Sequence, residues 1–84
     1  MAKIDIYTSP FCGFCYRAKG LLTDKSVDFN EIDITVHPSK RPEMLERSSG
    51  QSTVPQIFIG KTHVGGCDDL YALESRGELD GLLR

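Results

Sequence analysis

The stretch Ser9–Tyr16, which reads SPFCGFCY, carries two cysteines separated by two residues. The run before it, Lys3–Thr8 (KIDIYT), alternates between two sets of side chains in the way that a β-strand does. Just past Cys12, apolar residues recur at the spacing of an amphipathic helix: Cys15, Ala18, Leu21 and Leu22. We therefore expect a strand that leads into a helix, with Cys12 at the start of that helix.

A Cys-x-x-Cys pair has four chemical explanations: a structural disulfide, half of a zinc site, part of an iron–sulfur ligand set, or a pair that works by thiol–disulfide exchange. The chain has three cysteines, and an odd number argues against a disulfide framework. A tetrahedral zinc site needs four ligands, and beyond the pair only Cys67, His37 and His63 are available, without a second paired motif. We expect both histidines at the surface. Exchange is favoured, and the iron–sulfur alternative stays open.

Cys12 is the expected nucleophile of the pair. At a helix start its sulfur meets free backbone N–H groups and the positive end of the helix dipole, and both favour the thiolate. Cys15 lies one turn further on, where it can resolve a mixed disulfide or close a disulfide with Cys12. Cys67 has no paired neighbour, and its side chain is expected to be structural or peripheral.

Length and charge narrow the class of protein. The chain of 84 residues fits one domain, 1–84. The net charge of −2, without a Lys/Arg-rich run, argues against nucleic acid as a partner. The opening residues carry too few consecutive apolar side chains for a signal peptide or a membrane span. We expect a cytoplasmic monomer with no membrane association.

The remaining periodicity predicts the order β-α-β-α-β-β-α, with a short C-terminal helix. Ser39 is the expected N-cap of the second helix, and Gly50 its stop. A hairpin is expected at Gly60-Lys61. The strands after the first are predicted at Val27–Ile34, Gln56–Ile59 and Thr62–Val64, and the last two helices at 67–77 and 78–83. A mixed sheet follows, since the strand–helix–strand unit pairs in parallel and the hairpin is antiparallel.

Two further motifs surround the last two strands. Thr53-Val54-Pro55 precedes a strand that Pro55 could simply open, and spacing alone does not choose between a cis and a trans bond. In Gly65–Asp69 (GGCDD), Asp68 could cap the following helix. Alternatively, the free N–H groups there could hold a carboxylate while Asp68 holds an ammonium group, a combination that suits an amino-acid-like ligand end.

Taken together, IDIYT, CGFC followed by RAKGLL, TVPQIFIG and HVGGCDDLYAL resemble the glutaredoxin family, specifically its short dithiol branch, over nearly the whole chain. The resemblance implies an α/β, thioredoxin-like fold: a four-stranded mixed sheet flanked by three main helices. It implies an enzyme, a glutathione-dependent thiol–disulfide oxidoreductase that reduces protein disulfides and protein–glutathione mixed disulfides with Cys12 and Cys15. It also implies a cis-Pro55. The implied glutathione-binding residues are Phe14, Thr53, Val54, Pro55, Gly66, Cys67 and Asp68.

Two departures from the family pattern motivate alternatives. Ser9 occupies a position that is basic in many relatives, so Lys19, Lys40 and Arg41 become candidates for electrostatic support. Gly13 replaces the usual proline, which is similar to monothiol relatives that hold a [2Fe–2S] cluster between two protomers. The alternative function is thus a glutathione-ligated cluster carrier, with Cys12 as the ligand from each chain and no other metal site. A redoxin that depends on thioredoxin reductase is disfavoured, because such relatives lack the GGCDD element.

Overall fold

A computed structural model describes residues 2–84; Met1, part of the predicted domain 1–84, lies outside the described residues. The elements run in the predicted order, with the short C-terminal helix as α4. The strands are β1 (Ile4–Thr8), β2 (Asn30–Asp33), β3 (Gln56–Ile59) and β4 (Thr62–Gly65). The helices are α1 (Gly13–Asp24), α2 (Lys40–Arg47), α3 (Cys67–Ser75) and α4 (Leu79–Leu83).

The four strands form one mixed sheet in the order β2-β1-β3-β4. β1 pairs in parallel with β2 and antiparallel with β3, and β3 pairs antiparallel with β4. All five residues of β1 are buried, because apolar clusters cover both faces of the sheet at this inner strand. The chain leaves β1 between the two neighbouring strands, so Cys12 lies near the middle of one end of the sheet.

Two apolar clusters cover the two faces of the sheet. The larger includes Ile6, Leu22 and Leu70 and joins β1 and β3 to α1, α3 and α4. The smaller consists of Tyr7, Met44 and Phe58, and connects the opposite face to α2. Burial of these side chains is the main force that holds the helices against the sheet.

Several predicted boundaries differ from those of the structure. β2 is shorter than Val27–Ile34, because Val27 and Phe29 pack against the larger cluster from the connection before the strand. β1 begins at Ile4 instead of Lys3, and β4 extends to Gly65. Ser39 does precede α2, without a side-chain capping bond, and the Gly50 N–H closes that helix end on the Leu45 carbonyl at 2.7 Å.

The helices among residues 2–84 are all too short or too polar to cross a membrane.

Candidate active site

Cys12 is the N-cap residue of α1. Its backbone is extended, with φ −100° and ψ 105°, and its Sγ accepts a hydrogen bond from the Cys15 N–H at 3.1 Å. The first N–H groups of a helix have no partner within the helix, so the sulfur takes the place that a Ser or Asp oxygen usually fills. Such a bond, together with the helix dipole, stabilises negative charge on the sulfur.

Cys15 is held in a different environment, although it is only one turn away. Its side chain faces the sheet and is 2% exposed. Burial of its sulfur, together with the neighbouring Cys12 sulfur, raises the pKa of the Cys15 thiol to about 12. At neutral pH, Cys15 is therefore a protonated thiol, whereas Cys12 is half-buried and reachable.

The segment that precedes β3 lies directly beside Cys12. The Val54–Pro55 peptide bond is cis, as the resemblance implied. The Val54 carbonyl oxygen lies 3.8 Å from the Cys12 Sγ, which is the distance of a weak S–H···O contact. Within residues 2–84, the Val54 N–H has no hydrogen-bond acceptor. This backbone therefore offers a free donor next to the sulfur.

A groove of about 310 Å³ runs from this segment to the start of α3. The structure brings all seven implied glutathione-binding residues to its wall: Phe14, Thr53, Val54, Pro55, Gly66, Cys67 and Asp68. Cys12 is not part of that wall, but its sulfur lies at the edge of the groove, in contact with the Val54 carbonyl. The Phe14 ring is 56% exposed and forms a rim on the α1 side.

The start of α3 forms the far end of the groove. Asp69, and not Asp68, caps the helix: its carboxylate accepts a hydrogen bond from the Gly66 N–H at 2.9 Å. Of the two roles considered for Asp68, the cap is therefore made by its neighbour Asp69. Asp68 is exposed and in contact with the groove, where its carboxylate is available to a cationic group. The Cys67 side chain is buried, and burial raises the pKa of its thiol.

Sequence reasoning did not identify two glutamines in the wall of the groove, Gln51 and Gln56. Gln56 is buried and bonded to Thr53, whereas Gln51 is exposed. The only signal for them was their position on either side of the TVP motif. His37 is exposed as expected, whereas the His63 ring is only partly exposed and is bonded to Gln56.

The candidate basic residues do not line this groove. Lys19 pairs with Glu31 at 3.0 Å, in a separate depression on the other side of Cys12. Lys40 pairs with Glu43 at 3.5 Å, on the opposite side of the sheet from α1. Lys19 therefore shares a depression with Cys12 but is paired with Glu31, and the donor bonded to the Cys12 sulfur is the Cys15 N–H at the start of α1.

A half-buried but reachable thiol at a helix start, a buried second thiol and a neighbouring cis-proline on a thioredoxin-like fold define a thiol–disulfide oxidoreductase. Comparison with known proteins narrows this class.

The family model described as Glutaredoxin matches residues 4–64. Glutaredoxin 3 of Escherichia coli K12 is 56% identical over 84 residues, which is the whole of both chains. The solution structure of glutaredoxin from Brucella melitensis is 60% identical with a TM-score of 0.84, covering 99% of this chain and 89% of that one. The crystal structure of a buckwheat glutaredoxin–glutathione complex is 28% identical with a TM-score of 0.86, covering 98% and 76%.

The chain belongs to the glutaredoxin family, and it is a glutathione-dependent thiol–disulfide oxidoreductase with the thioredoxin-like fold of that family. The fold, the family and the activity predicted from the sequence are thus confirmed. The iron–sulfur alternative is not favoured by these comparisons.

Proposed function

We propose that Cys12 is the nucleophile of a cycle that removes glutathione from glutathionylated proteins. The observation that carries this assignment is the Cys12 sulfur itself, which accepts the Cys15 N–H at 3.1 Å and faces the Val54 backbone at the edge of the groove. It is the reachable sulfur of the pair, whereas Cys15 and Cys67 are both buried. Accessible thiolates at helix starts are the thiols that attack disulfides.

The reaction is a pair of thiol–disulfide exchanges. The Cys12 thiolate attacks the glutathione sulfur of a protein–S–S–glutathione bond, forms a Cys12–S–S–glutathione bond and releases the protein thiolate, which takes up a proton. A second glutathione thiolate then attacks the bound glutathione sulfur, which yields oxidised glutathione and restores the Cys12 thiolate. The electron pair comes from the glutathiones, and no other reductant is needed.

Cys15 is the alternative attacker in the second step, on the Cys12 sulfur. Because its thiol is buried and protonated at neutral pH, that route is slower than attack by free glutathione. On a substrate with a protein disulfide, Cys12 is joined to the protein rather than to glutathione, and attack by Cys15 within the same chain closes a Cys12–Cys15 disulfide and releases the second protein thiol. Two glutathione thiols then reduce the Cys12–Cys15 disulfide and leave as oxidised glutathione. The protein therefore needs Cys15 for protein disulfides but not for glutathionylated proteins.

The groove supports a specific placement of glutathione. The cysteinyl part of the tripeptide lies beside Val54, whose N–H is free to donate to it. Its γ-glutamyl end lies at the start of α3, where the N–H of Cys67 points to the bound carboxylate and Asp68 pairs with the ammonium group. Thr53, Pro55, Gly66 and the rim at Phe14 enclose the rest.

The experiment is a steady-state assay with a glutathionylated peptide and reduced glutathione as the electron donor. Cys12→Ser should abolish turnover, whereas Cys15→Ser should retain it and lose activity on a protein disulfide. Asp68→Asn should raise the KM for the peptide about 1.4- to 5-fold, since an exposed ion pair contributes about 0.2–1 kcal/mol. Asp28→Asn removes an exposed carboxylate outside the groove and should leave the KM unchanged. Turnover by Cys12→Ser, or equal effects of the two Asp variants, would overturn the assignment.

A second candidate function is the binding of a [2Fe–2S] cluster by two chains and two glutathiones. A side chain at Gly13 would meet nothing within 4 Å, so the space next to Cys12 is open. The described residues of one chain bring no three His, Cys, Asp or Glu side chains together, so a single chain does not fit a cluster. Anaerobic reconstitution with iron, sulfide and glutathione tests it: visible absorption bands in a dimer support it, and a colourless monomer refutes it.

We also propose that the chain works as one domain, 1–84, and as a monomer in the cytoplasm, on disulfide-containing and glutathionylated proteins and without nucleic acid or membrane. The support is in the sequence: the odd number of cysteines argues against a disulfide framework, and the net charge of −2 without a Lys/Arg-rich run argues against nucleic acid. Sedimentation of the reduced protein, with and without glutathione, tests the monomer.

A further inference from the structure

The side chain of Gln56 lies buried behind the groove wall, with 1% exposure. Its amide nitrogen Nε2 donates to the Thr53 carbonyl at 3.0 Å and lies 3.3 Å from both the Thr53 hydroxyl and the Gln51 Oε1. Its Oε1 lies 2.7 Å from Nε2 of His63. One buried amide thus joins β4 to the segment that carries the cis-proline.

The direction of this network follows from the Thr53 carbonyl, which has no hydrogen to donate. Gln56 must therefore present its NH₂ group to Thr53, because the reverse orientation would place two acceptor oxygens 3.0 Å apart. Its Oε1 then faces His63, so the His63 Nε2 must carry a hydrogen. The donor sequence runs from His63 through Gln56 to Thr53.

The position of the His63 ring is fixed independently of that hydrogen bond. The ring stacks on Phe58, with centroids 4.8 Å apart and planes at 22°. His63 pairs with Phe58 across the hairpin, whereas Gly65 pairs with Ile57, so a β-bulge puts an additional residue, Val64, between the two pairs. Stacking on Phe58 therefore fixes the His63 ring in a position from which it can donate to Gln56.

We propose that His63 is a positioning residue for the glutathione site and acts through Gln56. By fixing the Gln56 amide, it holds the Thr53 carbonyl, and the next residue, Val54, presents its carbonyl 3.8 Å from the Cys12 sulfur and its free N–H beside it. This inference rests on the proposed binding of glutathione in the groove. Without the His63 hydrogen, the Gln56 Oε1 is buried without a donor, so the amide is no longer held from both ends and the Val54 backbone is no longer preset for the ligand.

Two variants separate the hydrogen bond from the ring. His63→Phe keeps the stacking on Phe58 and removes the donor, and His63→Gln removes the ring and keeps an N–H at similar reach. We expect His63→Phe to raise the KM for a glutathionylated peptide about 2- to 12-fold, the change that corresponds to one net hydrogen bond of 0.5–1.5 kcal/mol. His63→Gln should have a KM close to that of the unmodified protein. The kcat should change less than 2-fold in both variants (about 0.4 kcal/mol).

Val64→Ala is the matched control, since Val64 also lies on β4 but packs into the larger cluster on the other face of the sheet. It should lower stability and leave the KM unchanged. Alkylation of Cys12 by iodoacetamide, a reagent that does not use the groove, should proceed at the same rate in all four proteins.

A measurement on the unmodified protein keeps the inference testable if His63→Phe fails to fold. Nitrogen-15 NMR of the reduced protein should find the hydrogen of neutral His63 on Nε2, and slow exchange of the Gln56 side-chain amide protons. A hydrogen on Nδ1, fast exchange at Gln56, or an unchanged KM in folded His63→Phe would each overturn the positioning role. If the unmodified protein shows no glutathione-dependent turnover, the proposed function fails instead, and the NMR result still decides whether the network exists.

Discussion

Gly65→Ala should destabilise the protein through a contact that the structure identifies. Gly65 has a φ of +113°, a backbone conformation that residues other than glycine rarely adopt. A Cβ added there would lie 2.9 Å from Cγ and 3.2 Å from Cβ of Asp69, and closer still to Oδ2. The Asp69 carboxylate would have to leave the Gly66 N–H that it caps.

The unfavourable backbone conformation and the lost cap together set the loss of stability. The backbone conformation costs about 1–3 kcal/mol for a residue with a side chain, and the lost cap about 1 kcal/mol. Gly65→Ala should therefore lower the free energy of unfolding by about 2–4 kcal/mol, and Asp69→Ala by about 1 kcal/mol. In the double variant the cap is lost only once, so the combined cost should fall short of the sum by about 1 kcal/mol.

Urea unfolding of the four reduced proteins measures this cycle, with the slope m checked for constancy. The groove provides a second readout, because displacement of the α3 start should raise the KM for a glutathionylated peptide in Gly65→Ala. Full additivity of the two substitutions, or a cost for Gly65→Ala below about 1 kcal/mol, would refute the steric reasoning.

Three further substitutions test other parts of the molecule. Cys15 has a folded-state pKa of about 12, so an unfolded thiol near its ordinary value releases its proton first as the pH rises. The stability that the Cys15 proton contributes is therefore complete below about pH 8.5 and is lost between there and about pH 12. In urea unfolding at a series of pH values, Cys15→Ala should remove this loss, which amounts to up to about 1.4 kcal/mol per pH unit. Leu70→Ala, at a fully buried position in the larger cluster, should cost about 2–5 kcal/mol in the same assay. Phe11→Asn, at an exposed position with a φ of 59°, should raise the thermal midpoint by a few degrees, since Asn tolerates this backbone conformation better; an unchanged or lower midpoint would contradict it.

Local chemistry decided which features could be predicted from the sequence. The strand, the helix start and the Cys12–Cys15 pair follow from adjacent residues, and the structure has them where they were expected. β2 was drawn too long because the alternation of Val27 and Phe29 is the same whether such residues belong to a strand or pack from a connection. The sequence did not single out Asp69 as the α3 cap, because two adjacent aspartates satisfy the same pattern and only Asp68 was considered for that role.

The hydrogen bond between His63 and Gln56 could not be predicted in this way. It joins neighbouring strands across a β-bulge, and the bulge determines which residues of β4 face Phe58 and Gln56. Sequence periodicity assumes a regular ladder and therefore assigns the wrong neighbours at such a position. The family resemblance supplied the groove residues, but it did not include the side chain behind them.

The long separation between Cys12 and Val54 has a consequence for biosynthesis. The hydrogen bond to the Cys12 sulfur needs only the first turn of α1, whereas its contact with Val54 joins residues 42 positions apart, and the far end of the groove comes later still. An isolated helix of 12 residues is marginal in water, so on the ribosome that first turn is not held before the sheet forms beneath it. Cys12 therefore gains its hydrogen bond and the surface that selects glutathione together, when the last third of the chain completes the fold.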